Sequence, residues 1–108
     1  DHDLHTAYVS HLSHVSSFML GKTVLEIEKD EAQIFDLAST GFASTVRLAK
    51  SHPQMWTPIF LENKVNVLKA LTEYIKNLEN FKHLLETDQA DSITQDIKEA
   101  NYIRKILK

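Results

Sequence analysis

Cysteine is absent from this chain of 108 residues. That excludes disulfides and thiolate metal sites, and it fits a reducing, cytoplasmic setting. Glycine and proline occur twice each, so turn signals are scarce. Two glycines cannot build a G-x-G-x-x-G loop, which excludes a dinucleotide-cradling turn within these residues. Arginine is equally rare, at Arg47 and Arg104, and the net charge at pH 7 is −3. A nucleic-acid surface needs clustered Lys and Arg, so that class of function falls away. No apolar run approaches the ~20 residues of a membrane span. The opening Asp1-His2-Asp3-Leu4-His5 is polar and acidic, unlike a secretory signal. No initiator methionine stands there, and the chain reads as a processed product or an excerpt of a longer one.

What is present is helical pattern. No segment alternates with period two, and there is no internal repeat or low-complexity tract. The length predicts one domain, residues 1–108, with a core small enough that burial against a partner would help it. About five helices are expected in a bundle-like, all-α arrangement. The first runs from about Leu4 to Leu20, closed by Gly21 as a C-terminal cap. Leu4, Ala7, Tyr8, Val15, Phe18 and Met19 share one face, and Ser10, Ser13 and Ser17 another. Both faces can be packed, which describes a central helix. Lys22 to Lys29 reads as a connector. Asp30 caps a short second helix, with Gln33 completing a capping box, and that helix stops near Ser39-Thr40-Gly41. A third begins around Phe42, with Val46 and Ala49 on one side and Arg47 away from it. Pro53 opens the next helix, and Pro58 predicts a kink or restart with Thr57 as cap. From Pro58 to about Glu86 the threes-and-fours pattern reads as one long helix of about 40 Å, a length that calls for a neighbour to pack along. A last helix starts after Asp88 to Asp91, with Ile93, Ile97, Ala100, Ile103 and Leu107 as its stripe.

Two features carry chemistry. His11 and His14 lie three apart, about 60° from one another on a helix. Arg47 has no other charged residue near it from Leu37 to Ala49. A lone cation among small and apolar residues is expensive to desolvate unless an anion meets it, and histidine adds a group that donates or accepts near neutral pH. Together they point to a site for an anionic small molecule. Each has a plainer reading as well. His11 falls within the apolar face, as a buried, hydrogen-bonded histidine would. Arg47 can instead bond helix-terminal carbonyls. Trp56 reads as core or interface. As metal ligands His11 and His14 lack the carboxylates that bundle sites add, and on a straight helix His2 and His11 point in opposite directions.

Several segments line up with a known family. They are His2-Asp3, Tyr8-Val9-Ser10-His11-Leu12-Ser13-His14, Gly41-Phe42 with Thr45-Val46-Arg47-Leu48-Ala49, Met55-Trp56 and Asn63. On these residues the chain resembles the C-terminal, all-helical dimerisation domain of prephenate dehydrogenases. The order and spacing hold from residue 2 to the mid-sixties, and the later helices agree in character.

The resemblance implies NAD-dependent oxidative decarboxylation of prephenate to 4-hydroxyphenylpyruvate in tyrosine biosynthesis. It implies that the cofactor and the catalytic histidine belong to an N-terminal Rossmann domain absent from this chain, so that this piece alone is inactive. Arg47 then binds a substrate carboxylate and His14 lines the substrate pocket. His11, Ser44 and Trp56 support the site, with Trp56 near the dimer interface. The implied partners are a second copy of the chain and a dianionic small molecule, with no metal. Ser13 stands where many relatives have proline, and Ser44 where many have an acid. Those departures keep arogenate open as the substrate. A helical dimerisation module without a ligand, and a bundle holding a metal through His11 and His14, are the alternatives from other classes.

Overall fold

The computed structural model describes residues 2–38 and 41–107, and every element among them is helical. The N-terminal rod is built from α1 (His2–Thr6), a π-helical turn (Ala7–His11) and α2 (Leu12–Ile27). The flanking residues Thr6 and Leu12 both keep right-handed helical angles, so the three pieces form one unbroken path. Then come α3 (Glu31–Leu37), α4 (Gly41–Thr45) and a 3-10 turn (Arg47–Lys50). After them the chain forms α5 (Pro53–Glu62), α6 (Lys64–Glu86), α7 (Ala90–Asn101) and α8 (Ile103–Ile106). The all-α expectation holds. The chain divides into two compact units, Asp1–Leu71 and Thr72–Lys108, with α6 contributing to both.

In the first unit α2 runs past Gly21 to Ile27, where sequence reasoning placed a cap and a connector. Gly21 faces the 3-10 turn, where an added Cβ would lie 3.6 Å from that of Ala49, an ordinary contact that the packing could accept. Ser17, only 4% exposed, joins α2 to the same segment by donating to the Thr45 carbonyl at 2.8 Å. The small-residue face of the first helix is thus used at Ser17, whereas Ser13 is exposed and bonds back to Val9. Val46 and Ala49 are half-buried and Arg47 is exposed, as their spacing requires.

Asp30 caps α3, accepting from the backbone N–H groups of Ala32 and Gln33. The capping box closes differently from expectation. Glu28, not Gln33, accepts the Asp30 N–H, at 3.0 Å. The expected stop near Ser39-Thr40-Gly41 falls partly outside the described residues, since Ser39 and Thr40 are not among them.

The expected restart at Pro58 is absent. Pro58 lies inside α5, and the helix ends five residues later at Asn63, with φ −109° and ψ 29°. The single helix from Pro58 to Glu86 is therefore two. Pro58 is the sixth residue of α5, so it leaves the Gln54 carbonyl without its usual N–H, and the helix continues past that loss for one more turn. Asn63 keeps its ladder bonds to Ile59 and Val67, and the path turns there through its backbone angles while its side chain reaches Asp3 and His11. Helix α6, at 23 residues, is still about 35 Å long.

In the second unit α6 ends in a Schellman turn. Asp88 adopts φ 54°, Gln89 donates its N–H to Leu84 O at 3.0 Å, and Asp88 donates to Leu85 O at 3.2 Å. Leu84 is buried beneath this reversal, and α7 comes next. Its stripe is interrupted at Tyr102, which separates α7 from α8.

Burial within the chain is slight. Among the described residues, the buried apolar side chains are Ala7, Val67, Ala70 and Leu84. Leu61 remains 65% exposed, Val65 77%, Phe35 81% and Ile27 78%. Apolar area on this scale is a surface awaiting a partner, because monomeric proteins seldom leave so many large side chains in water.

Candidate functional site

Five rings meet where the π-turn and α2 pack beside α5. His14 stacks on Trp56, with centroids 3.5 Å apart and planes 20° from parallel. His11 meets Trp56 edge-on at 5.9 Å and Phe60 edge-on at 6.4 Å. Phe18 closes the group against His14 at 6.3 Å and Phe60 at 6.3 Å. Trp56 and Phe60 are tilted neighbours at 5.6 Å. His14–Phe18 and Trp56–Phe60 are both four apart, so each pair shares a helix face, and the cluster is two such faces pressed together.

Polar contacts fix the two imidazoles. His14 donates from Nδ1 to the Ser10 carbonyl at 3.0 Å. Asn63 donates from Nδ2 to the Asp3 carbonyl at 3.0 Å and toward Nδ1 of His11 at 3.3 Å. Asn66 in turn donates to Asn63 Oδ1 at 2.9 Å. His11 is buried and His14 half-buried.

Beside His11 opens a cleft of about 360 Å³ lined by His2, Asp3, Thr6, His11, Ile59, Glu62 and Asn63. His2 and His11 share this wall, contrary to the straight-helix expectation. The π-turn is the reason. It adds one residue to a turn, which rotates α1 by about 100° relative to α2. Among the described residues no three histidines, aspartates or glutamates converge as metal ligands.

The residues singled out in the sequence divide into two groups. His11, His14 and Trp56 are in direct contact. Arg47 and Ser44 are exposed, and no hydrogen bond or ring contact among the described residues joins them to the rings. The link is indirect, through Ser17 on α2 and Thr45, which sits between Ser44 and Arg47. The Arg47 guanidinium has neither an ion pair nor a carbonyl partner among the described residues. Sequence reasoning gave no role to Asn63 or Phe60. The four-residue spacing of Trp56 and Phe60 was a usable signal; Asn63 and Asp3 both stood among the family-matching residues, but no spacing joins the two.

Comparison with known proteins identifies the family. The family model described as the prephenate dehydrogenase dimerization domain matches residues 1–99. The chain belongs to that family. A curated relative, the cyclohexadienyl dehydrogenase of Zymomonas mobilis, is 31% identical over 108 residues, covering 99% of this chain and 37% of its own length. A crystal structure of prephenate dehydrogenase from A. aeolicus, in complex with hydroxyphenyl propionate and NAD+, is 36% identical with a TM-score of 0.86, over 99% of this chain and 37% of that one. Synechocystis arogenate dehydrogenase is 28% identical with a TM-score of 0.90, over all of this chain and 40% of its own. A prephenate dehydrogenase dimerisation domain thus spans well under half of each of these relatives. Among its described residues, no helix is long and apolar enough to cross a membrane.

Proposed function

We propose that this chain is the dimerising, substrate-holding part of a cytoplasmic, NAD-dependent prephenate dehydrogenase. The observation that carries the reading is the Arg47 guanidinium, exposed and without a partner among the described residues, on a turn docked to the helix that bears His14. A planar guanidinium grips a carboxylate through two parallel hydrogen bonds, and prephenate is a dianion. His14 commits Nδ1–H to Ser10 and keeps Nε2 for a second contact with the substrate. Trp56 beneath it holds the ring plane. Ser44, one turn before Arg47, leaves the guanidinium untethered.

We read the nicotinamide cofactor as bound outside these residues. Gly21 is packed mid-helix against Ala49, and Gly41 opens a five-residue helix, so neither offers a turn that cradles phosphates. We assign NAD and the reacting histidine to an N-terminal Rossmann domain of the complete enzyme. This chain binds and orients the substrate, and its exposed apolar residues pair with a second copy to form a homodimer. The closeness of Synechocystis arogenate dehydrogenase favours a second reading of substrate, arogenate, which presents the same carboxylates to Arg47.

The test is Arg47→Ala in the complete enzyme. Losing a charge-assisted contact of roughly 1.5–3 kcal/mol should raise KM for prephenate by about tenfold to a hundredfold. Turnover should fall far less, because the contact is made equally in the ground and transition states. KM for NAD should hold, and Arg47→Lys should recover only part of the loss. An unchanged KM in a folded dimer would return Arg47 to a structural role. Comparing kcat/KM for prephenate and arogenate decides between the two substrates.

A further inference from the structure

The geometry points to Asn63 as a positioning residue that fixes which nitrogen of His11 carries the proton and, through Trp56, holds the ring of His14.

The first constraint is an atom that cannot donate. The Asp3 carbonyl lies 3.0 Å from the Asn63 amide, and a carbonyl only accepts. The amide atom facing it is therefore the NH2 group. The contact from Asn66 Nδ2 to Asn63 Oδ1 at 2.9 Å fits the same orientation. An NH2 group has two hydrogens. One goes to Asp3, and the other faces His11 Nδ1 at 3.3 Å. That nitrogen must then offer a lone pair, which puts the His11 proton on Nε2. His14 is held the other way, because the Ser10 carbonyl requires a proton on its Nδ1. Two histidines three residues apart are thus set in opposite tautomers by partners of opposite kind.

Fixing His11 Nδ1 also fixes the ring plane. His11 stands at 86° to Trp56 and 80° to Phe60, supporting both by its edge. Trp56 carries His14 at 3.5 Å on its face. The chain of contacts runs Asn63, His11, Trp56, His14. Asn63 is well placed to begin it. It is the break between α5 and α6, yet its N–H still donates to Ile59 O and its carbonyl still accepts from Val67. Every polar group of the residue is engaged, so its amide has no freedom to turn.

The role for His14 rests on the substrate reading above, whereas the tautomer of His11 does not, and the experiment separates them. The complete enzyme is labelled with 15N in histidine, and His11 is assigned by its loss in His11→Gln. Long-range proton–nitrogen correlation at neutral pH should show His11 protonated on Nε2 alone. In Asn63→Asp the new carboxylate accepts, so a proton should appear on Nδ1. KM for prephenate should rise by about tenfold in that variant, with KM for NAD unchanged. A wild-type His11 protonated on Nδ1 overturns the proposal without recourse to any variant. A tautomer that switches in Asn63→Asp while KM stays put overturns the positioning role. Failure of the substrate reading has a separate signature, an Arg47→Ala enzyme with unchanged KM, and it removes the role at His14 while the tautomer stands.

Discussion

Trp56→Ala is the substitution that most directly tests the ring cluster. The indole makes three ring contacts, with His14 at 3.5 Å, Phe60 at 5.6 Å and His11 at 5.9 Å. Pairs of this kind contribute about 0.5–1.5 kcal/mol each beyond simple burial, which gives roughly 2–4 kcal/mol for three. An independent route uses large-to-small substitution in a core, about 3–5 kcal/mol for a fully buried Trp. Trp56 is half-buried, so the lower part of that range applies. Both routes place the loss near 2–4 kcal/mol, a large share of the stability of a small domain. The assay is urea unfolding monitored by circular dichroism. Wild type and variant are compared at one protein concentration, because a dimer's stability depends on it. Trp56→Phe keeps a ring of smaller face and should lose about half as much. A loss under about 1 kcal/mol for Trp56→Ala would mean that the indole does not organise the site.

The packing sets three further outcomes. Gly21→Ala should raise stability by up to about 1 kcal/mol in the same assay, since the added Cβ meets Ala49 at an ordinary 3.6 Å within a helix; a loss instead would show that the approach of the 3-10 turn is tighter than that. Asp88→Gly should stabilise by about 0.5–1 kcal/mol, because its φ of 54° suits glycine, and an unchanged midpoint would refute it. Leu61→Glu with Val65→Glu, both exposed in the single chain, should weaken the dimer in analytical sedimentation. Undiminished dimer at micromolar concentration would place the interface elsewhere.

The helical class was legible because it rests on local signals repeated many times. So was Asp30, whose carboxylate reaches two N–H groups within its own first turn. The errors share a different origin. Gly21 and Pro58 are read as breakers when judged by their neighbours in sequence. In the fold α2 continues through Gly21 beside Ala49, and α5 continues for four residues beyond Pro58. The turn at Asn63 is anchored by its side chain to Asp3 and His11 across the unit, and no window around residue 63 contains them. The histidine pair and Arg47 stood out by chemical rarity. Their arrangement did not, because the stacking of His14 on Trp56 joins residues forty-two apart in number.

The π-turn at Ala7–His11 gives the N-terminal rod two angular frames. Counted from His14, the residues of α2 obey one phase and those of α1 obey another, offset by about one residue's rotation. A one-residue deletion inside the turn would leave a more regular helix. It would also swing His2 and Asp3 off the cleft wall and carry the Asp3 carbonyl away from Asn63. Helical regularity and the junction with α5 therefore pull this segment in opposite directions. The wide turn is where that conflict is resolved in favour of the junction.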